Sequence, residues 1–300
     1  MKIVITGSLG HISKPLTEEL VQKGNEVTVI SSKANKQKDI QALGAKAAIG
    51  SVQDVDFLTS IFKGADAVYC MIPPANYLDP NIDLKVYVLR IAENYSEAIQ
   101  QSGVKRVVFL SSIGAHLAEG NGIIQDYHEM EGILNKLKGV DITFMRPTSF
   151  YYNLLGYMPM AKLGFIAVNY GDNKIVWVSP KDIAAAIADE IQTPFKGKKV
   201  RYVASDERTG IETAAVLGKA IGKPELKWTV VSDEQSQKGL EAAGLQPAIA
   251  AGLVEMYSGI QTGKFWEDYE KHKPEMGRVK LEEFANDFAE AFRNGVSRDH

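Results

Sequence analysis

The opening stretch, "KIVITGSLGHIS", has the residue types and spacing of a loop that binds phosphate groups. It follows a short β-branched run and precedes a helical pattern, which is the context in which such glycines contact a nucleotide. Gly7 allows a tight turn, and Gly10 lets the backbone approach a pyrophosphate at the positive end of the next helix. The spacing therefore predicts a dinucleotide site, and the alternative is an ordinary turn between a strand and a helix.

Ser13 stands where the general fingerprint has its third glycine. That glycine mainly permits close packing of the helix on the strand. Serine adds only one small hydroxymethyl group, so we predict that Ser13 is tolerated and that its hydroxyl bonds a backbone group or a phosphate.

The end of the second β-branched run bears on which dinucleotide is bound. An Asp or Glu usually holds the ribose 2′-hydroxyl of NAD about twenty residues past the loop, but this chain has Ser31, Ser32 and Lys33 there. Hydroxyls and an ammonium group attract a 2′-phosphate, whereas a carboxylate repels it. The segment favours NADP(H) over NAD(H), and the alternative is a solvated lysine-rich loop.

Alternating β-branched runs and helical patterns position these residues, and that rhythm predicts βαβ units with a parallel sheet. The rhythm stops at about Tyr151 and resumes at "SPKDIAAAIADEIQ", where Ser179 is expected as the N-cap and Pro180 as the first helical residue. We predict a dinucleotide-binding domain over residues 1–155, to which residues 174–204 return. Residues 156–173 and 205–300 are expected to form the substrate or lid domain.

Composition narrows the classes of partner. The chain has 300 residues and a net charge of -3, without a long basic run or eighteen consecutive apolar residues, so we expect no nucleic acid and no membrane as partners. Cys70 is the only cysteine, which favours a cytoplasmic location and a buried thiol. The five histidines lack metal-ligand spacing, so no metal site is expected; they are His11, His116, His128, His272 and His300.

Four stretches, "ITGSLGHIS", "GVKRVVFLSSIGAH", "MRPTSFYYN" and "WVSPKDIA", resemble the NmrA-like branch of the atypical short-chain dehydrogenase/reductase superfamily. The resemblance implies an α/β fold: a doubly wound parallel sheet (Rossmann) with a smaller, mostly helical carboxy-terminal substrate domain. It also implies NADP(H) at the carboxyl ends of the strands. Members of that branch are reductases, including quinone reductases, or dinucleotide-sensing regulators.

Carried over position by position, the resemblance implies contacts to three parts of the cofactor. The residues expected around the pyrophosphate are Thr6, Gly7, Ser8, Leu9, Gly10, His11 and Ile12. The residues expected beside the adenosine are Ser31, Ser32, Lys33, Met71, Ile72 and Pro73. The residues expected near the nicotinamide are Ser111, Ser112, Pro147 and Phe150. Ser51 stands where relatives often have an acid, which leaves the adenine contact open.

The resemblance also exposes a departure at the proton relay. Typical superfamily enzymes carry Tyr-x-x-x-Lys, in which the lysine lowers the pKa of the tyrosine. Here Tyr127 is followed by Glu131. A carboxylate raises the pKa of a nearby tyrosine, so the standard relay is not expected; alternatively, Tyr127 simply packs on the apolar face of its helix.

A reaction that needs little help with protons suits such a site. Quinones meet this condition because the oxyanion formed by hydride transfer is delocalised, so the leading hypothesis is NADPH-dependent reduction of a quinone or a similar electron-poor acceptor. This small-molecule acceptor is expected beside "SFYYN", with Tyr127, Ser112 and His128 as candidate catalytic donors. The alternative is a non-catalytic NADP(H) sensor that binds a partner protein. A homodimer is compatible with either hypothesis.

Overall fold

The computed structural model describes residues 1–79 and 81–295, so residues 296–300, the end of the predicted substrate domain with His300, lie outside the described part. Its strands are β1 (Lys2–Ile5), β2 (Glu26–Ser31), β3 (Lys46–Ile49), β4 (Ala67–Cys70), β5 (Arg106–Leu110), β6 (Asp141–Pro147), β7 (Ser149–Phe150), β8 (Phe165–Val168), β9 (Ile175–Val178), β10 (Lys198–Val203), β11 (Asp206–Arg208) and β12 (Lys227–Val230). Its helices are α1 (Ser13–Gln22), α2 (Gln37–Ala42), α3 (Val55–Phe62), α4 (Leu84–Ser102), α5 (Gln125–Asn135), α6 (Met158–Lys162), α7 (Pro180–Gln192), α8 (Gly210–Ala220), α9 (Asp233–Ala242), α10 (Pro247–Gln261), α11 (Trp266–Lys271) and α12 (Leu281–Asn294).

The main sheet has seven strands in the order β10-β6-β5-β4-β1-β2-β3. All of its pairings are parallel. The chain runs from β1 outward to β3 and then returns to place β4 on the other side of β1, so the strand order reverses between β1 and β4. In open α/β sheets ligands bind at this reversal, outside the carboxyl ends of the strands. The predicted doubly wound Rossmann fold is confirmed.

Alternation along the strands gives the sheet two apolar faces. In β1, Val4 belongs to a core with α3, α4 and α5, whereas Ile3 and Ile5 belong to a core with α1, α2 and α7. Helix α7 begins as expected, because the Ser179 hydroxyl accepts a hydrogen bond from the backbone N–H of Lys181, and Pro180 follows at the first helical position. Each face of the sheet is therefore covered by helices from βαβ crossovers.

A third core joins the end of the main sheet to the carboxy-terminal segments. It contains Tyr151, Trp177, Phe265 and Phe288, all nearly inaccessible to solvent. The sequence after Asp206 is mostly helical, but two strands interrupt it: β11 pairs with β9, and β12 pairs with β8. These strands escape a reading of the local sequence because their partners lie in earlier parts of the chain.

Helix α4 is long but amphipathic. Its N-cap is Asp83, whose carboxylate accepts a hydrogen bond from the backbone N–H of Val86, and its C-cap is Gly103 in the left-handed conformation, with φ 76°. Charged residues occupy its outer face, and among the described residues no helix has the length and apolar character needed to cross a bilayer.

Candidate cofactor cleft

The turn between β1 and α1 depends on the pairing of Gly7 with Ser13. Gly7 has φ +89°, and a Cβ at this position would lie 2.6 Å from the Ser13 Oγ and 3.0 Å from the Met71 sulfur. The Ser13 hydroxyl donates a hydrogen bond of 2.8 Å to the Thr6 carbonyl and is buried. Ser13 thus fills the space that Gly7 leaves, and the predicted bond to a backbone group is confirmed.

Hydrogen bonds fix the loop to the strands on both sides of β1. The backbone N–H of Thr6 donates to the Tyr69 carbonyl, and the Thr6 hydroxyl accepts from the N–H of Met71 at 2.9 Å. Towards β2, the N–H of Ser8 donates to the Ile30 carbonyl. Ser8 itself has φ 54°, in the left-handed region that non-glycine residues rarely adopt. The loop is therefore held in one shape at the strand-order reversal.

The start of α1 is open to an anion. Ile12 occupies the N-cap position and makes no side-chain cap, so no side chain takes the N–H groups of the first turn. Gly10 is exposed, Leu9 is half-buried and Ile12 is buried under the loop. A pyrophosphate at this position would meet backbone donors and the positive end of the helix dipole.

Of the three residues at the end of β2, Ser31 is buried, whereas Ser32 and Lys33 are exposed. Ser31 is 2% exposed, and its hydroxyl accepts hydrogen bonds from the Ser8 Oγ at 2.9 Å and from the N–H of Lys33 at 3.2 Å. Ser32 and Lys33 are exposed next to it. Ser31 therefore supports the turn between β1 and α1, and the contact of Ser32 and Lys33 with a 2′-phosphate stays a prediction.

The segment after β4 has one face towards the loop and one in the core. Met71 is half-buried beside Gly7, and its carbonyl accepts a hydrogen bond of 2.7 Å from the Tyr95 hydroxyl. Ile72 is buried with α3 and α4. Pro73 is half-buried. Of these three residues, Met71 lies directly against the loop, and the adenosine contacts of Ile72 and Pro73 stay predictions.

Aromatic rings extend from the loop to the end of β7. His11 stacks on Tyr152, and Tyr152 stacks on Phe150, each with ring centroids 4.8 Å apart. Tyr151 instead packs against Phe284 in the carboxy-terminal core. Tyr157 is hydrogen-bonded to the Tyr170 hydroxyl in the same core. Of the tyrosines near "SFYYN", Tyr152 is therefore the one that borders the cofactor loop.

Burial is the main influence on the pKa of the Tyr127 phenol. Burial raises its pKa above the usual value, and Tyr77 and Asp126 raise it further. The predicted direction is confirmed, but the predicted cause is wrong, because Glu131 does not contribute to this shift. The carboxylate of Glu131 is turned towards Arg146 and forms an ion pair with it.

Glu131 and Arg146 form a buried ion pair between α5 and β6. Arg146 Nε lies 2.9 Å from Glu131 Oε1, and Arg146 Nη2 lies 2.7 Å from Glu131 Oε2. The Ser111 hydroxyl donates to the same Oε1 at 2.5 Å. Sequence reasoning missed Arg146, although a lone arginine in the apolar strand "DITFMRP" requires a buried partner.

The network continues into the carboxy-terminal helices. Arg146 Nη1 lies 3.0 Å from Asp268 Oδ2 and 3.1 Å from the Tyr202 hydroxyl, which donates to Asp268 at 2.6 Å. Burial opposes ionisation of Asp268, but the Tyr202 hydrogen bond and the Arg146 charge outweigh it, so the pKa of Asp268 is lowered. Ser111 is thereby connected to α11 through three ionised side chains.

The three candidate catalytic residues, Tyr127, Ser112 and His128, do not line the same cavity. Ser112 is half-buried in the turn after β5. His128 Nδ1 lies 2.9 Å from the Ala115 carbonyl, and its side chain lines a cavity of about 690 Å³ together with His116, Arg146 and His272. The lining of that cavity includes neither Tyr127 nor Ser112. Pro147 is buried, and its carbonyl accepts a hydrogen bond from the N–H of Ile113.

Comparisons with known proteins agree with this geometry. A sequence model of a family described as NAD(P)H-binding matches residues 7–194. An NAD(P)H azoreductase from Xenophilus azovorans is 22% identical over 262 residues, which cover 85% of this chain and 86% of that protein. An NADPH-dependent quinone oxidoreductase from Escherichia coli, solved with NADPH, superposes with a TM-score of 0.80 at 23% identity, over 95% of this chain and 99% of that one. A triphenylmethane reductase from Citrobacter sp. superposes with a TM-score of 0.78 at 18% identity, over 97% of this chain and all of that one. At these identities the two structures show a shared fold.

Proposed function

This chain belongs to the NAD(P)H-binding family, and from that premise we propose that it is an NADPH-dependent reductase of quinones or similarly electron-poor small molecules. The observation that carries the proposal is the loop at the strand-order reversal. There Gly7 leaves no room for a Cβ, and the start of α1 has no side-chain cap. Similarity to an azoreductase and to a quinone oxidoreductase supports acceptors of this kind.

The residues of the cleft fit a bound dinucleotide. The loop from Gly7 to Ile12 would hold the pyrophosphate through backbone N–H groups. Met71 would lie beside the same loop, and Phe150 and Tyr152 would border the nicotinamide end of the dinucleotide. When bound, the reduced nicotinamide supplies the hydride.

Proton supply is the part of the reaction in which this chain departs from its superfamily. Because burial raises the pKa of Tyr127, its phenol stays protonated at neutral pH and can donate a hydrogen bond to an acceptor oxygen. A typical relay tyrosine has a pKa near neutrality and can protonate the alkoxide that forms from an isolated ketone. Tyr127 is a weaker acid than such a tyrosine. A delocalised quinone oxyanion takes its proton from water, so this site suits quinones better than isolated ketones.

Preference for NADPH over NADH rests on Lys33 in this proposal. Its ammonium group is exposed at the end of β2, beside the buried Ser31. We expect Lys33→Gln to raise the Kd of NADPH roughly fivefold while changing the Kd of NADH less than twofold, because only NADPH carries a 2′-phosphate. Fluorescence titration measures both constants. The control is Lys46→Gln, an exposed lysine at the start of β3 that pairs with Glu26; equal effects of the two variants on NADPH would contradict the assignment.

The central experiment follows NADPH absorbance with purified protein and a panel of quinones and an azo dye, with binding measured by fluorescence in the same samples. We expect oxidation that depends on the protein. Gly7→Val serves as the control, because its side chain would collide with Ser13 and abolish binding. Tight binding without oxidation of any acceptor would refute the reductase proposal and favour an NADP(H) sensor.

A further inference from the structure

The residue that replaces the relay lysine has a defined set of partners. Glu131, Ser111 and Arg146 are 6%, 3% and 5% exposed. Glu131 Oε1 accepts hydrogen bonds from the Ser111 hydroxyl and Arg146 Nε, and Oε2 accepts from Arg146 Nη2. Because an ionised carboxylate only accepts hydrogen bonds, the single hydroxyl hydrogen of Ser111 points to Glu131.

This bond orients the turn that follows β5. The backbone N–H groups of Ser111 and Ile113 donate to the Met145 and Pro147 carbonyls, so the segment continues the parallel ladder past the end of the strand. Side chains alternate along such a ladder. With Ser111 facing α5, Ser112 faces the opposite side of the sheet, which carries α1 and its phosphate loop.

The Glu131 carboxylate is itself immobilised from the carboxy-terminal side. Arg146 bonds it through two nitrogens and uses its third nitrogen on Asp268 and Tyr202. A paired fork of this kind fixes orientation as well as charge. The position of the Ser111 side chain is therefore set by contacts from β6, β10 and α11 together.

We propose that Glu131 is a positioning residue that acts through Ser111 and holds the Ser112 hydroxyl towards the cofactor cleft. The proposal rests on the proposed function, because it gives Ser112 the task of donating a hydrogen bond to the acceptor oxygen. It explains why a carboxylate occupies the relay position: Glu131 serves the serine turn after β5, and its charge is paired with Arg146.

The chain contains a matched control for a purely structural buried carboxylate. Glu190 is 1% exposed and accepts a hydrogen bond of 2.9 Å from the Thr143 hydroxyl. It also pairs with Arg106 and Lys199. It thus has a hydroxyl partner and basic partners as Glu131 does, but Thr143 projects from β6 to the face opposite Arg146. Loss of Glu190 should lower stability without moving Ser112.

The first test uses thiol chemistry and does not depend on turnover. Cys70 is fully buried, and burial raises its pKa, so it is inert towards alkylation. In the Ser112→Cys protein we expect NADPH to slow alkylation by iodoacetamide at least fivefold. Adding Glu131→Gln or Ser111→Ala should change the cofactor-free alkylation rate more than threefold and remove most of the protection, whereas Glu190→Gln should leave both within twofold.

The outcomes separate this inference from the proposed function. Equal alkylation rates in the Glu131→Gln and Glu190→Gln backgrounds would overturn the positioning role, whether or not NADPH binds. Failure of the unaltered protein to bind NADPH would refute the proposed function instead, and the cofactor-free rates would still decide the role of Glu131.

Turnover supplies a second, independent readout. We expect Ser112→Ala and Glu131→Gln each to lower kcat with a quinone several-fold, with little change in the Kd of NADPH. In the Ser112→Ala background, Glu131→Gln should have no further effect on kcat, because the group that it positions is gone. Multiplicative losses, or a lowered Tm with unchanged kcat as expected for Glu190→Gln, would show a merely structural role.

Discussion

Burial keeps the phenol of Tyr127 protonated at neutral pH, and this has a measurable consequence for catalysis. A tyrosine that acts as general acid or base contributes about 10²- to 10⁴-fold to the rate. Because the pKa of Tyr127 is raised away from neutrality, we expect Tyr127→Phe to lower kcat with a quinone by less than about tenfold. Steady-state kinetics measure this effect, with Tyr157→Phe as the control for a buried phenol in the carboxy-terminal core. A hundredfold loss of kcat in Tyr127→Phe would contradict this prediction and identify Tyr127 as the proton donor.

Glu131→Lys restores the Tyr-x-x-x-Lys pattern but not its chemistry. The new ammonium group would be buried against Arg146, which keeps its ion pair with Asp268 but loses the one with Glu131. Breaking a buried ion pair costs about 3–5 kcal/mol, so we expect a loss of this size in the free energy of unfolding and no gain in ketone reduction. Urea denaturation measures the first and NADPH oxidation the second. Glu131→Gln, which adds no charge, should lose less stability; a Glu131→Lys protein as stable as the unaltered one would contradict this account.

Single residues were predictable where their role is local. The replacement of a glycine by Ser13, and its hydrogen bond to the backbone, follow from the size of the side chain and the nearness of Thr6 along the chain. The partner of Glu131 was not predictable in this way, because Arg146 lies on a neighbouring strand and Asp268 lies 122 residues further along the chain from it. An ion pair of this kind depends on the folded topology.

At the scale of elements, the contacts of the β1–α1 turn indicate that Ser13 stabilises this turn. Ser13→Gly restores the glycine fingerprint but removes the buried bond to the Thr6 carbonyl. Leaving that carbonyl without its partner costs about 1–3 kcal/mol. We therefore expect a lower Tm, with the Kd of NADPH changed less than twofold. Ser8→Gly is the comparison in the same loop, and an increase in Tm for Ser13→Gly would contradict the prediction.

The strands and helices of the main sheet were largely predictable because each has its own apolar pattern, and some helices add a cap, as Ser179 and Pro180 do for α7. Strand β11 was missed because its three residues are all charged, and β12 was missed because only two of its four residues are apolar. They become strands by pairing with β9 and β8, which lie 28 or more residues earlier in the chain. For such elements the tertiary partner, rather than the local sequence, decides the conformation.

At the scale of the whole molecule, His116 should make stability depend on pH. Burial lowers its pKa; Asp268 and Glu267 oppose this effect, and Arg146 adds to it. The unfolded chain, with an ordinary histidine pKa of about 6.5, therefore takes up the proton first as the pH falls. The contribution of His116 to stability is complete above about pH 6.5 and declines below it.

We accordingly expect the Tm to fall between pH 7.5 and 5.5, and His116→Gln to reduce that fall. Differential scanning fluorimetry across this range measures the slope, and His272→Gln, at an exposed position, is the control. The lowered pKa of Asp268 acts at more acidic pH, because a carboxylate of this kind loses its stabilising effect as the pH falls below about 4. An unchanged slope in His116→Gln would show that other groups set the dependence.

The pairs β9–β11 and β8–β12 join earlier and later segments of the chain, and this limits how chimeras with a relative can be built. Strands β11 and β12 complete sheets begun by β9 and β8, and Asp182 on α7 accepts hydrogen bonds from the N–H groups of Arg278 and Val279. A transplant of the segment from Asp206 onward would set foreign strands against native ones and would place a foreign backbone against the Asp182 carboxylate. Recombination with a relative therefore requires two blocks to be exchanged together, the first spanning 149–182, which contains β8, β9 and Asp182, and the second beginning at 206.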